Sequence, residues 1–221
     1  MKTFLSVALL IILGIWPNIS LGYSVTSHVV SKPYEVLSLP GSPETQQIVI
    51  GELNDYPDMV EVVSDTDFVL SVEIRALPFE PVPDLNGIVV KVLDVRGVAE
   101  VARLLPEEAT WEERVDPVSK LSYLAGPIVA TATAAGTYRV EVSTPNNIGK
   151  YMLVIGNRPV YAGYGATWQA VAHVYDFYGV SKIGMIRTSL LYMPLLIMLV
   201  IVGFGYTVYR TRHRFLRSHT Q

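Results

Sequence analysis

Apolar and polar residues alternate along the middle of the chain, from Thr45 to Gly156. The stretches "FVLSVEIR" at 68–75 and "YRVEVS" at 138–143 place an apolar residue at every second position. Because side chains alternate between the two faces of a β-strand, this period predicts strands with one buried and one wet face. "IVVKVL" at 88–93 and "YMLVIG" at 151–156 are apolar on both faces and predict more central strands.

Turn-forming residues separate these apolar runs at short intervals. About eight short strands with turn signals between them predict a mainly β protein, whose main domain, residues 45–158, is an antiparallel β-sandwich or jelly roll. Residues 98–105 fit either an apolar strand or a short helix, because their period does not separate the two. The predicted turns lie near Gly41, Asn54, Asp65, Asn86, Gly136 and Asn147.

The N-terminus, "MKTFLSVALLIILGIWPNISLGYS", has the layout of a secretory leader. Lys2 precedes an apolar run, and small residues lead up to Gly22, which predicts a signal peptide of residues 1–22. An uncleaved signal anchor is the alternative, and both interpretations export the middle of the chain. Residues 23–44 are expected to form an N-terminal extended segment ahead of the sandwich.

A second apolar run lies near the C-terminus. Ser189–Tyr209 contains no charged residue and is long enough, at about 1.5 Å per residue, for a helix of about 30 Å, the thickness of a hydrocarbon core. This predicts one transmembrane helix, residues 189–209. Basic residues beyond the helix outnumber those before it, which places the tail, residues 210–221, in the cytoplasm. The membrane-flanking arginines are Arg187, Arg210, Arg212, Arg214 and Arg217.

The juxtamembrane segment, residues 159–188, carries an amphipathic pattern. Apolar residues spaced by three and four predict a helix from Ala166 to Tyr178, closed by Gly179. Its apolar stripe can pack on the sandwich, lie in the outer membrane interface, or dock on another membrane protein. The stripe consists of Trp168, Val171, Ala172, Tyr175 and Tyr178, of which Trp168, Val171, Tyr175 and Tyr178 are the candidate interaction surface.

Composition removes several kinds of chemistry. The chain has no cysteine, which excludes disulfides, thiolate metal sites and cysteine nucleophiles. Its four histidines lack ligand spacing on the exported side, and His173 fits the polar face of the predicted helix better than a metal site. No motif for a hydrolase elbow, a zinc protease or a phosphate loop occurs. We therefore expect no catalytic, cofactor-binding or metal-binding residues, and no enzyme.

Acidic residues concentrate between the two apolar ends. All 20 Asp and Glu residues lie there, which argues against nucleic acid as a partner. The acidic stretch "EVARLLPEEATWEERVDP" is expected to be a solvated surface, since its spacing fits no calcium loop. Trp111 within it can pack on the edge of the sandwich, and a tryptophan beside carboxylates also suits a sugar.

The last predicted strands resemble a known family. "AAGTYRVEVSTPNNIGKYMLVIG", residues 134–156, resembles the closing hairpin of bacterial pre-peptidase C-terminal-like domains. "VSDTDFVLSVEI" is similar to a strand pair earlier in such domains. The resemblance covers about half of the chain, and the matching residues of the hairpin are Gly136, Thr137, Tyr138, Gly149 and Tyr151.

This resemblance implies a small jelly-roll-like β-sandwich, commonly an appendage of exported proteins, with no catalytic residues of its own. In such a hairpin, Tyr138 and Tyr151 bury their rings as a cross-strand pair. Most such appendages accompany an enzyme, whereas no second domain of that size is evident here. The whole layout resembles exported, single-span bacterial proteins that carry such a sandwich.

Together these patterns predict a single-pass protein of the cell membrane, with its N-terminal domain outside and its tail in the cytoplasm. The expected function is a non-catalytic binding or assembly module. A structural subunit of a larger membrane complex and a surface hydrolase with an unrecognised site are the alternatives. The expected partners are the lipid bilayer, through residues 189–209, and a membrane protein, through the juxtamembrane helix.

Overall fold

The computed structural model describes residues 24–78, 84–94, 97–108, 110–159, 162–188 and 197–210. The predicted signal peptide, 1–22, and the tail beyond Arg210 lie outside these ranges. The described chain belongs to two compact units. One unit runs to Lys182 and contains the strands, and the other includes the residues from Ile183 onwards.

Alternating apolar residues build eleven strands within the described part of the chain, where the sequence predicts about eight. In chain order the strands are β1 (Ser24–Val29), β2 (Val36–Ser38), β3 (Gln47–Asn54), β4 (Asp58–Ser64), β5 (Phe68–Ala76), β6 (Asn86–Asp94), β7 (Gly97–Leu104), β8 (Glu112–Val115), β9 (Ser122–Thr133), β10 (Gly136–Ser143) and β11 (Ile148–Ile155). The ambiguous stretch 98–105 is mostly strand β7, followed by a short 3₁₀ helix, Pro106–Glu108.

These strands form two sheets that pack face to face. The six-stranded sheet has the order β1-β3-β11-β5-β9-β8, and the five-stranded sheet has the order β2-β4-β10-β6-β7. Neighbouring strands are antiparallel except at two edges, where β1 runs parallel to β3 and β2 runs parallel to β4. The prediction of a mainly β sandwich is therefore confirmed.

The core lies between the sheets, where alternate residues of the central strands point inwards. The ring of Tyr138 meets Phe68 edge to face, with 5.4 Å between ring centroids. The Tyr138 hydroxyl donates to the carbonyl of Ala134 at 2.7 Å, which satisfies its polar end. The residues of the core are Leu39, Val49, Leu53, Val60, Val62, Phe68, Leu70, Val72, Ile74, Ala76, Leu85, Val89, Leu104, Tyr138, Val140, Val142, Tyr151, Leu153 and Ile155.

The hairpin predicted around Tyr138 and Tyr151 is wrong in its pairing. β10 lies between β4 and β6 in one sheet, whereas β11 lies between β3 and β5 in the other. The turn after Ser143 therefore carries the chain across the sandwich, and the two tyrosines come from opposite sheets. Alternation specifies which residues of a strand are buried, but it does not specify the neighbouring strand. β4 and β5, the earlier predicted pair, also belong to opposite sheets.

The segment expected to be extended, residues 23–44, contributes to the sandwich. Its strands β1 and β2 each add to one edge of a sheet, and both run parallel to their neighbours. β1 carries mostly polar residues, SVTSHV, and is exposed or half-buried along its length. Hydrophobic alternation therefore gives little signal for it, and its position depends on pairing with β3.

One helix, α1 (Tyr164–Tyr178), covers the outer face of the six-stranded sheet. It begins two residues before the predicted start and ends at Gly179, whose φ of 66° is the left-handed conformation that favours glycine. The Tyr175 hydroxyl donates to the carbonyl of Ser119 at 3.0 Å. Strands beneath it carry apolar residues on both faces, and the buried outer-face residues are Ile48, Ile50, Met152 and Val154.

A 3₁₀ helix, Lys182–Arg187, begins at the last residue of the sandwich unit, and the C-terminal unit contains a helical stretch at residues 197–210. Of the predicted transmembrane helix, residues 189–196 lie outside the described ranges. Among the residues that the structure does describe, no helix is both long enough and apolar enough to cross a membrane.

Candidate binding site at the open edge of β9

The 12-residue strand β9 has a neighbour along only part of one side. Its first four residues, Ser122–Ala125, pair with β8, while β5 pairs with its other side. From residue 126 to residue 133, no strand in the described chain pairs with the side that β8 leaves. Unpaired N–H and C=O groups along a strand can bind a further strand, so residues 126–133, named the β9 edge, are the candidate site.

The β9 edge is uncharged and rich in small and β-branched residues. The sequence from Leu121 to Tyr138 contains no charged residue. Ile128, Ala130 and Ala132 point away from the core and are exposed, and Ile128 keeps 64% of its surface accessible. Natural sheets commonly protect such edges with lysine, proline or an inward-pointing charge. Of these, only Pro127 is present, at one end of the edge.

A cleft of 410 Å³ adjoins the β9 edge at its first residues. One wall is formed by residues 125–129 of β9, and the facing wall by residues 103–105 at the end of β7. Thr110, Glu112 and Arg114 close the end nearest β8. The cleft therefore lies where a strand added to β9 would begin, between the edges of the two sheets.

Ion pairs surround this cleft. Arg103 donates to Glu100 through two nitrogens, at 2.8 and 2.7 Å, and this contact lowers the pKa of Glu100. Arg114 donates to Glu112 at 2.9 Å. Since each of these exposed carboxylates already has a cation, the rim offers hydrogen bonding without a large net field, which suits a neutral partner.

A more buried pair, Glu73 and Arg75, lies on the outer face of β5. The two side chains are 2.7 Å apart, and the Arg75 guanidinium stacks on Tyr123 at 4.2 Å from the ring centroid. Burial alone lowers the pKa of Arg75, but the hydrogen bond and charge of Glu73 outweigh that effect and raise it. Glu73 also lines the cleft. Because the charges of Glu73 and Arg75 cancel, this pair adds no net charge to the floor of the cleft.

Trp111 positions the chain where β8 begins. A Cβ atom on Gly126 would lie 2.5 Å from Cη2 and Cζ3 of the indole, so only glycine allows this contact. Trp111 is half-buried and packs against the core. Because part of the indole packs on Gly126, that part is not open to a ligand. The interpretation of Trp111 as packing on the sandwich edge therefore fits the structure better than a sugar platform.

The four residues of the predicted interaction surface occupy different environments. Val171, Tyr175 and Tyr178 are buried between α1 and the sheet, with accessible fractions of 0%, 2% and 7%. Trp168 is half-buried. Packing on the sandwich therefore uses three of the four, and only Trp168 keeps a partly open surface. The helix is turned slightly from the prediction, because Val174 and Ala170 are buried while Ala172 is half-buried.

The structure describes only part of the predicted membrane-flanking set. Arg187 ends the 3₁₀ helix and Arg210 ends the helical stretch at 197–210. Arg212, Arg214 and Arg217 lie outside the described residues.

A buried polar cluster on the other side of the sandwich has no counterpart in the sequence prediction. Asp58 is fully buried at the start of β4 and accepts a hydrogen bond from the hydroxyl of Tyr151. Nδ1 of His28 lies 2.8 Å from Oδ1 of the same carboxylate. Burial, together with the charge of Asp58, raises the pKa of Tyr151 well above its usual value. These contacts connect β1, β4 and β11.

The acidic stretch does not assemble a metal site in the described chain, where no three His, Asp or Glu side chains converge. Asp116 turns inwards instead, and its Oδ1 accepts from the backbone N–H groups of Val118 and Ser119 at 2.9 and 2.6 Å. It thus stabilises the turn before β9. The sequence analysis did not predict the β9 edge. The long uncharged stretch that contains β9 is the sequence signal that could have indicated it.

Comparison with known proteins found only distant similarities, all of them among solved structures. A scan of protein-family models and a search of curated proteins found no match. Among solved structures, the chain is similar to the pre-peptidase C-terminal domain of collagenase from Bacillus anthracis, with 10% identity and a TM-score of 0.35 over 57% of this chain and 98% of that one. It is also similar to CorA, a surface-associated copper-binding protein of Methylomicrobium album BG8, with 7% identity and a TM-score of 0.26 over 61% and 100% of the two chains. Similarities at this level carry no argument about this chain.

Proposed function

We propose that this protein is a membrane-anchored, extracytoplasmic β-sandwich that acts as a non-catalytic assembly module. The observation that carries the proposal is the β9 edge, residues 126–133, which has no partner strand in the described chain. A bound extended segment would gain main-chain hydrogen bonds there, and the adjoining cleft of 410 Å³ gives it room to enter. The neutral rim favours an uncharged strand.

Anchoring is supported by the two apolar ends of the sequence. Residues 197–209 are uncharged and helical, and their apolar side chains are exposed, including Leu199 and Ile201 at 71% and 65%. Such a surface is stable in hydrocarbon and costly in water. Arginines follow this stretch, and the leader pattern of 1–22 precedes the sandwich, which favours an external sandwich and a cytoplasmic tail.

We also infer that the sandwich is of the pre-peptidase C-terminal-like kind. The pattern of Gly136, Tyr138, Gly149 and Tyr151 supports this assignment. The chain crosses from one sheet to the other after β10, and other domains of this kind can be compared for the same crossing.

The native size of the full chain tests the proposal. After solubilisation of membranes in a mild detergent, the wild-type protein should migrate on a native gel above the mass of one chain in its micelle. Ala130→Asp places a charge at the centre of the β9 edge and should reduce the size to that of the single chain, because a charge opposes strand addition. Val63→Asp is the matched control, since Val63 is a 50% exposed strand residue on the other sheet.

A single-chain size for the wild type would refute assembly. A larger size that Ala130→Asp leaves unchanged would refute the β9 edge as the site and direct attention to the open part of Trp168. Thermal unfolding of each variant checks that the sandwich itself is intact.

A further inference from the structure

We infer, building on the proposed assembly function, that the strand bound at the β9 edge is β9 of a second copy of this chain. The two strands would run antiparallel about a two-fold axis at Ala130, which joins the six-stranded sheets of two molecules into one continuous sheet. An edge related to itself by a two-fold axis buries the same surface on both molecules, so the assembly closes as a dimer.

The residues of the edge are complementary to themselves in this register. A two-fold axis at Ala130 places Ile128 opposite Ala132 of the second copy, and Val129 opposite Thr131. Each large or branched residue thus meets a smaller one or one of its own shape, and Ala130 meets Ala130. On the outer face, the exposed Ile128 side chain would lie beside Ala132 of the second copy, whose small side chain leaves room for it.

The ends of the strands also fit this register. β8 occupies the neighbouring position as far as Glu112, which pairs with Ala125. β9 ends at Thr133, so the β9 strand of a second copy would finish just before it reached β8. The partner strand and β8 would therefore lie end to end along the same side of β9, without overlap.

The absence of cysteine from the sequence allows a direct test. Ala130→Cys introduces one thiol per chain, and in the dimer the two thiols lie opposite each other. Opposed residues of antiparallel strands have Cα atoms about 4.5–5.5 Å apart, within the range for a disulfide. In detergent-solubilised full-length protein, mild oxidation should cross-link this variant at least about tenfold faster than Val63→Cys, because the paired thiols react within one complex.

The register is tested by mixing two further variants. Ile128→Cys and Ala132→Cys, carrying different tags, should cross-link to each other and only slowly to themselves. Ala130→Asp and Ala130→Lys should each be single chains when alone and should associate when mixed, which gives a second measurement that needs no disulfide. Thermal unfolding confirms that each variant is folded.

Two results would overturn the inference. One is cross-linking of Ala130→Cys no faster than Val63→Cys, and the other is Ile128→Cys linking to itself as readily as to Ala132→Cys. If the native size nevertheless exceeds one chain and falls with Ala130→Asp, the edge binds a different chain, so the proposed function stands and the second-copy inference fails. If the wild type is a single chain, both fail.

Discussion

The approach of Tyr151 to Gly51 gives a sharp test of how this sandwich is held together. His28, Gly51 and Tyr151 lie in one row across β1, β3 and β11. The missing side chain of Gly51 lets the tyrosine ring lie over that backbone, where its hydroxyl donates to the buried Asp58. Gly51→Ala would place a Cβ atom 2.5 Å from Cε1 and Oη of the ring.

The ring is fully buried and cannot keep its place beside an added methyl group. Overpacking of a core costs about 1–3 kcal/mol. Displacing the hydroxyl also removes a donor from a buried carboxylate, at about 1–3 kcal/mol. We therefore expect Gly51→Ala to lower the free energy of unfolding by about 2–6 kcal/mol, which is a large part of the stability of a domain.

Equilibrium unfolding in denaturant, followed by tryptophan fluorescence, measures this loss. The control is the same substitution in a Tyr151→Ala background, where the clash is absent and the added methyl group should have little effect or stabilise the protein. The two backgrounds should thus differ by at least about 2 kcal/mol in a double-mutant cycle. Equal effects of Gly51→Ala in both backgrounds would refute the argument that Tyr151 requires this glycine.

Two other predictions concern pH and topology. The pKa of Tyr151 is raised on folding, so its contribution to stability is complete below the ordinary tyrosine pKa of about 10 and is lost as pH rises further. Tyr151→Phe should be less stable at pH 7 but lose less stability between about pH 9 and 11 than the wild type; parallel losses would contradict this assignment. Protease added to intact cells should digest the sandwich and spare a tag after Gln221, and external cleavage of the tag would contradict the proposed orientation.

Alternation predicted the buried faces of the strands correctly, as β5 and β10 show. Phe68, Leu70 and Val72 of β5 point into the core, and so do Tyr138 and Val140 of β10. A period of two depends only on the local chain and on which side water is excluded, so it can be read without knowing the partner strands.

Pairing could not be predicted in the same way. The short polar turn after β10 favours a hairpin locally, but both strands gain more by inserting between others, β10 between β4 and β6 and β11 between β3 and β5. The β9 edge was missed for the same reason, because the local sequence does not show which strand lacks a neighbour. The His28–Asp58 contact joins residues 30 positions apart and follows from that topology.

The position of β11 has a consequence for how the molecule forms. The last strand of the sandwich lies inside the six-stranded sheet, between β3 and β5, so earlier strands alone leave that sheet split in two. A chain that emerges from the ribosome N-terminus first cannot close the split until Ile155 is available. Until then the apolar edges of β3 and β5 need protection from other chains, and contacts of such large sequence separation form slowly. The sandwich is therefore completed only after its last strand, β11, has been synthesised.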